Sequence, residues 1–325
     1  MGLEEALRRF FVFLSERRDL KEWVTRNGWM RRVARRFVAG ETRQEALDVA
    51  ARLNAQGMAA TLNLLGERTA RAEEARAAAA AYRELLSEIR RRQLLADIAV
   101  KLTQLGLDLS WELAEESLRE ICAHARHLGG FVWMDMEASR YVEPTLHMYR
   151  GLRASGYGPE VVGLALQAYL YRSEQDLEEL LRLGARVRLV KGAYAEPSRV
   201  AYPRKVEVDR AYVRLMERLL QDGRQPAIAT HDERILGHAL RFAKAHGILP
   251  DGFEFQMLYG VRRDLQAWIV REGYRLRVYV PFGPDWYPYF MRRLAERPAN
   301  VGFLLRSLVR EERVPEGFGR SSGVE

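Results

Sequence analysis

Eight short apolar runs, each followed by a stretch with helical amphipathic spacing, constrain this 325-residue chain more than any other feature. They fall at Met58–Gly66, Asp97–Gly106, Phe131–Glu137, Gly163–Tyr169, Val187–Tyr194, Pro226–Asp232, Phe253–Gly260 and Arg275–Gly283. Strand-length runs alternating with helices read as βαβ units, so the pattern predicts an α/β fold built on a parallel sheet. Eight such units close most simply into a (βα)8 TIM-type barrel, whose usual length of ~250 residues is of the order of the span from Met58 to the helix after Arg275. A doubly wound sheet fits less well. The chain has neither G-x-G-x-x-G nor G-x-x-x-x-G-K-[ST], so a nucleotide cofactor has to be held by strand ends rather than by a glycine-rich turn.

Upstream, residues 3–55 carry apolar positions three and four apart, which predicts extra N-terminal helices. Gly40 followed by Thr42 reads as a helix stop and a new cap. The expected organisation is an N-terminal helical segment (1–55) packed on a barrel catalytic domain (56–311), with 312–325 as a loose tail. The single cysteine, Cys122, excludes an intrachain disulfide and any Cys-based zinc or iron–sulfur site, and suits a reducing cytoplasm. No run approaches the ~18 apolar residues of a membrane span, and the charges flanking the first apolar run argue against a signal peptide. A net charge of +8 is compatible with an anionic partner. Residues 1–40, however, hold ten Lys/Arg against five Asp/Glu, and elsewhere the signs alternate along helices as on a solvated face. No nucleic-acid partner is expected.

In such a barrel the active site lies where strands end. Polar residues at the ends of the apolar runs are therefore the candidates: Lys101, Gln104, Asp135, Glu137, Gln167, Arg188, Lys191, Thr230, His231, Asp232, Gln256 and Tyr279. A charge inside a strand has to find a partner. A purely stabilising ion-pair network explains any one of these residues more easily than it explains all of them converging at one rim. Only five of the 52 Lys and Arg are lysine, so Lys101 and Lys191, both within apolar runs, mark places where a point charge rather than a guanidinium fork is wanted. A desolvated lysine also suggests Schiff-base chemistry, which gives a rival reading as an aldolase-type barrel with Lys191 as nucleophile. After the last run, Tyr289, Arg292, Arg293 and Glu296 recur at helical steps on one face. Two arginines with a tyrosine one turn back can clamp a carboxylate, although alone the segment also reads as a basic surface helix. His124 and His127 have no carboxylate or Cys partner of metal-site type and read as surface residues, and no metal is expected.

The motifs KLTQLG (101–106), DME (135–137), LQAYLYR (166–172), VRLVKGAY (187–194), ATHD (229–232), FEFQMLYG (253–260), RVYVPFG (277–283) and YxxRRLxE (289–296) resemble, in order and spacing, the bacterial proline dehydrogenases. The likeness runs from about Val38 onward and is to the short monofunctional type rather than to the bifunctional proline utilisation proteins. It implies a distorted (βα)8 barrel that binds FAD non-covalently and oxidises L-proline to Δ1-pyrroline-5-carboxylate by hydride transfer. It further implies electron delivery to a membrane quinone; the expected place is the cytoplasm, with the net +5 of residues 1–40 favouring a weak, salt-sensitive peripheral contact at the inner face of the membrane. By the same resemblance Gln167, Arg188, Lys191, Gly192, Ala193, Tyr194, Lys205, Thr230, His231 and Glu296 hold FAD, with Arg188 and Gln167 near the isoalloxazine. Lys101, Asp135, Leu258, Tyr279, Tyr289, Arg292 and Arg293 form the proline pocket, and Lys101, Asp135, Tyr279 and the two arginines serve catalysis. Asp232 stands where some relatives have Asn, and Lys205 comes after a loop, Glu196 to Pro203, that varies in length. The resemblance makes Lys191 a cofactor ligand, at the expense of the Schiff-base reading.

Overall fold

The structure, a computed structural model, describes residues 34–66 and 69–296, with side chains as far as Met291. Its strands are β1 (Ala59–Leu64), β2 (Ala96–Val100), β3 (Val132–Met134), β4 (Val162–Gln167), β5 (Arg186–Val190), β6 (Ala227–Ala229), β7 (Glu254–Leu258) and β8 (Leu276–Phe282). They close in sequence order into a parallel barrel, β8 pairing β1 from Arg277↔Ala59 to Phe282↔Leu64. Helix α1 (Arg43–Asn54) precedes the barrel. Each strand then leads into one helix: α2 (Ala72–Arg91), α3 (Trp111–Leu128), α4 (Val142–Ala154), α5 (Ser173–Arg182), α6 (Lys205–Asp222), α7 (Glu233–Ala245), α8 (Arg263–Arg271) and α9 (Trp286–Glu296). The expected (βα)8 barrel is what the chain forms.

All eight apolar runs overrun their strands at the C-terminal end. Lys101, Asp135 and Lys191 thus lie one residue beyond β2, β3 and β5, not inside strands. The overrun has a physical cause, since the turns after the strands keep burying apolar residues: Leu102 and Leu105, past β2, are 1% and 0% exposed.

Outward-facing strand residues such as Leu62, Ile98, Val132, Leu164, Val187 and Val278 merge with the apolar stripes of the helices into one core. Helix α2 shows how the sequence builds such a stripe. Ala75, Ala79, Tyr82, Leu85, Leu86 and Ile89 share the buried face, while Glu73 and Glu74 in the first turn and Arg90 and Arg91 in the last suit the helix dipole. Helix α1 packs against β1 and β8 and starts, as the Gly40–Thr42 signal implied, with a capping box between Thr42 and Glu45. A second apolar cluster joins Ala34, Phe37, Val38 and Leu65 to Trp286, Tyr287, Tyr289, Phe290 and Met291, seating α9 on the segment before α1. Residues 1–33 and the 312–325 tail lie outside the described residues. Among the described residues no helix is long and apolar enough to cross a membrane.

Candidate active site

Alternate strand positions face the barrel axis, and many are polar rather than the branched apolar residues that usually fill such barrels. Near the strand starts, Asp97 pairs with Arg277 (Oδ2 to Nη1, 2.9 Å) and accepts from Trp133 Nε1 at 3.0 Å and from the Thr61 hydroxyl. Arg277 Nε donates to Glu254 Oε1 at 2.9 Å, and Gln256 Nε2 donates to the same oxygen at 2.6 Å. Burial pushes the Glu254 carboxyl up, but the Arg277 guanidinium beside it outweighs burial and holds it at about 2. At Asp97 burial wins over Arg277, and the carboxyl is raised. Buried charges are tolerated when paired and hydrogen-bonded in this way.

Toward the mouth, Asp135 is the centre of a second cluster. Its Oδ2 accepts from Tyr279 at 2.6 Å and from Lys101 Nζ at 3.3 Å, and its Oδ1 accepts from Arg188 Nη1 at 2.8 Å. These partners come from β8, the end of β2 and β5, so only barrel closure brings them together. Burial, and next the Asp135 charge, push the Tyr279 phenol well above its usual range, so it remains a donor. Arg188 is 3% exposed and its Cζ lies 4.4 Å from the Trp133 ring centroid and 5.4 Å from that of Tyr279. Its Nε and Nη2 are buried with no hydrogen-bond partner among the described residues. Two buried cationic donors left open this way fit an acceptor from outside the chain.

Along the rim, Lys191 Nζ donates to Asp209 Oδ1 at 2.6 Å and to Asp232 Oδ2 at 3.0 Å. Exposed Lys205 also pairs with Asp209 and stands 3.7 Å from Asp232. Asp232 at the same time caps α7, accepting from Arg234 N at 3.1 Å, and its own N–H donates to Thr230 Oγ1 at 3.1 Å. His231 Nε2 accepts the Leu258 N–H at 2.9 Å, and Gln266 Nε2 donates to the Leu258 carbonyl at 3.0 Å, which fixes that strand end from both sides. Gln167 Nε2 donates to the Glu137 carbonyl at 2.8 Å, while the Glu137 carboxylate takes the N–H (3.1 Å) and hydroxyl (2.6 Å) of Thr103. Gly192 has φ +114, and a Cβ there would lie 2.3 Å from the Tyr169 ring, so the chain passes this ring only as glycine. Ala193 is exposed and Tyr194 half-buried beside it.

The structure thus gathers Lys101, Asp135, Arg188 and Tyr279 into one hydrogen-bonded unit and Lys191, Lys205, Thr230 and Asp232 into another. Tyr289 is buried in the cluster that seats α9. The side chains of Arg292, Arg293 and Glu296, on the last turns of α9, lie outside the described residues. Two sequence candidates turn out to be scaffolding. Gln104 bonds the Tyr82 hydroxyl and the Leu64 carbonyl, and Gln256 bonds Glu254. Asp209 escaped notice because it lies inside α6 and not at a strand end, although its place four residues after Lys205 was a usable sign. The Schiff-base reading of Lys191 is not favoured. Two carboxylates clamp its ammonium, the reverse of the apolar surroundings that activate a nucleophilic lysine.

A family model described as Proline dehydrogenase matches residues 46–306. The chain is 42% identical over 305 residues to Proline dehydrogenase 1 of Bacillus subtilis (strain 168), covering 94% of this chain and 100% of that one. It is 40% identical over 311 residues to a Proline dehydrogenase of Deinococcus radiodurans, covering 95% of this chain and 99% of that one. Among solved structures, proline utilization A from Bdellovibrio bacteriovorus, inactivated by N-propargylglycine, matches with a TM-score of 0.80 at 27% identity. That match covers 94% of this chain and 38% of the larger protein.

Proposed function

Because the chain belongs to the proline dehydrogenase family, we propose that it oxidises L-proline to Δ1-pyrroline-5-carboxylate on a non-covalently bound FAD and passes the electrons to a membrane quinone. The observation that carries this reading is the half-buried Asp135 cluster with the two buried, open donors of Arg188.

When bound, FAD supplies the two-electron acceptor. The chain's own residues set the substrate's state. Lys101 and Arg188 bring two positive charges to the one negative charge of Asp135, and the excess disfavours a protonated amine next to it. A neutral amine is what loss of hydride from the adjacent carbon requires. Tyr279 keeps its proton and holds Asp135 in place. Leu258, Tyr279 and Tyr289 wall a pocket for a five-membered ring, and Arg292 and Arg293 take its carboxylate as a bidentate clamp. Gln167, Arg188, Lys191, Gly192, Ala193, Tyr194, Lys205, Thr230, His231 and Glu296 are assigned to FAD.

Catalysis is assigned to the unit 56–311. The protein works in the cytoplasm and touches the inner face of the membrane peripherally, where the quinone lies. The test of the cofactor is to denature the purified protein and identify the flavin released. FAD in the supernatant, about one per chain, is expected; FMN, flavin that stays attached to the chain, or a folded preparation without flavin contradicts the reading.

A further inference from the structure

Trp133 is fully buried on β3, two residues before Asp135, and so faces the axis of the barrel with it. Its indole N–H is fixed to Asp97 at 3.0 Å, and the Phe131 ring meets it edge-on at 4.9 Å and 67°. Asp97 is itself held by Thr61 and Arg277, so the indole is anchored to the inner ion-pair layer. Two arginines of β5 touch this one ring. Arg188 lies 4.4 Å and Arg186 5.3 Å from its centroid. Each is drawn away from the other by its further contacts: Arg186 lies 4.4 Å from Phe131 and 3.9 Å from Glu254, whereas Arg188 bonds Asp135.

Like charges two residues apart on one inward face repel in a dry interior. An aromatic face in contact with both offers each guanidinium a favourable surface. The Asp135 bond fixes only Nη1 of Arg188. A guanidinium held at one nitrogen can still swing about that contact, and a second restraint is needed to define where Nε and Nη2 lie.

We propose that Trp133 is a positioning residue for the cofactor. Pinned by Asp97, its ring supports the Arg188 guanidinium and holds the open donors Nε and Nη2 in one orientation. The inference rests on the reading that Arg188 meets FAD. Nothing in the residue types of the run FVWMDME separated this indole from an ordinary core aromatic; its contacts do.

The test is titration of the apoprotein with FAD, tracked by flavin fluorescence, for the wild type, Trp133→Phe, Trp133→Leu, Arg188→Lys and the double variants. Losing the ring multiplies the orientations open to Arg188, and the FAD dissociation constant should rise about tenfold in Trp133→Leu. Trp133→Phe, which restores a face without the anchoring N–H, should fall between. In the Arg188→Lys background, removal of the ring should change the constant less than about twofold, because the group it positions is gone. Should the leucine variant not fold, the phenylalanine pair completes the same cycle. If Trp133 variants bind FAD as the wild type does, or if the effect is equally large with and without Arg188, the proposal is overturned. Arg188→Lys alone separates the two claims. Weakened FAD binding there, with Trp133 variants unaffected, sinks only the positioning role; unchanged binding sinks the Arg188 assignment and the proposal with it.

Discussion

Asp135 takes hydrogen bonds from three side chains that lie 34, 53 and 144 residues away in sequence. Losing one hydrogen bond to a charged group costs ~1.5–3 kcal/mol. Tyr279→Phe is therefore expected to lower kcat/KM for proline by about tenfold to a hundredfold while leaving FAD content intact, as steady-state kinetics and absorbance would show. Arg292→Met and Arg293→Met should each cost ~2–5 kcal/mol, mostly as raised KM, because the carboxylate is held alike in ground and transition states. Wild-type KM values in both would rule out the clamp. At this scale the sequence was informative where chemistry demands rare residue types. Few lysines made Lys101 and Lys191 conspicuous, and both prove to be paired with carboxylates. It was less informative where identity depends on neighbours. Arg277 and Glu254, near the starts of their apolar runs, draw no notice until the closed barrel brings Nε and Oε1 to 2.9 Å.

The elements were legible because their apolar periodicity is strong, and their ends were not because the turns beyond the strands are equally apolar. The run from Asp97 to Gly106 shows this best: β2 stops at Val100, and the residues after it form a buried turn that aims Lys101 at Asp135. Helix starts behave similarly. Asp232 caps α7 and pairs with Lys191, two tasks that sequence alone cannot separate. Substitution can. Asp232→Asn keeps a capping oxygen and loses the charge, whereas Asp232→Ala loses both. Urea unfolding should show the alanine variant less stable than the asparagine variant by ~0.5–2 kcal/mol, the worth of an N-cap. Equal stabilities would mean that the cap contributes nothing at this helix.

For the molecule as a whole, the eightfold alternation sufficed to foresee a closed barrel, and a stabilising ion-pair network inside it was one expected reading, but its members were not legible: Asp97, Glu254 and Arg277 stand at the starts of their apolar runs, away from the strand ends where candidates were sought. That network carries a pH dependence. Held at about 2 against an ordinary 4.5, the Glu254 carboxylate contributes its full stability above about pH 4.5 and loses it as pH falls toward about 2. Asp97, raised by burial, acts in the opposite sense, its charged form being the less favoured one in the fold. The unfolding free-energy difference between wild type and Glu254→Gln should be ~3–5 kcal/mol at neutral pH, where the substitution strands Arg277, and should shrink through that acid window. A difference independent of pH would contradict the pairing. Charge also bears on location. Residues 1–40 hold ten Lys/Arg against five Asp/Glu, so full-length protein should float with anionic vesicles at low salt and release as the Debye length shortens. Reversing Arg8, Arg9, Arg17 and Arg18 to Glu should abolish flotation, and unchanged flotation would remove the N-terminal contact. Oxidation of proline on a flavin, as proposed for this barrel, must change the flavin's own spectrum. The most direct measurement is the visible spectrum of the purified protein without oxygen, before and after L-proline is added. Bleaching of the oxidised flavin's visible band, with a cyclic imine formed in equal amount, is the expected result; a flavin spectrum unmoved by proline would contradict it.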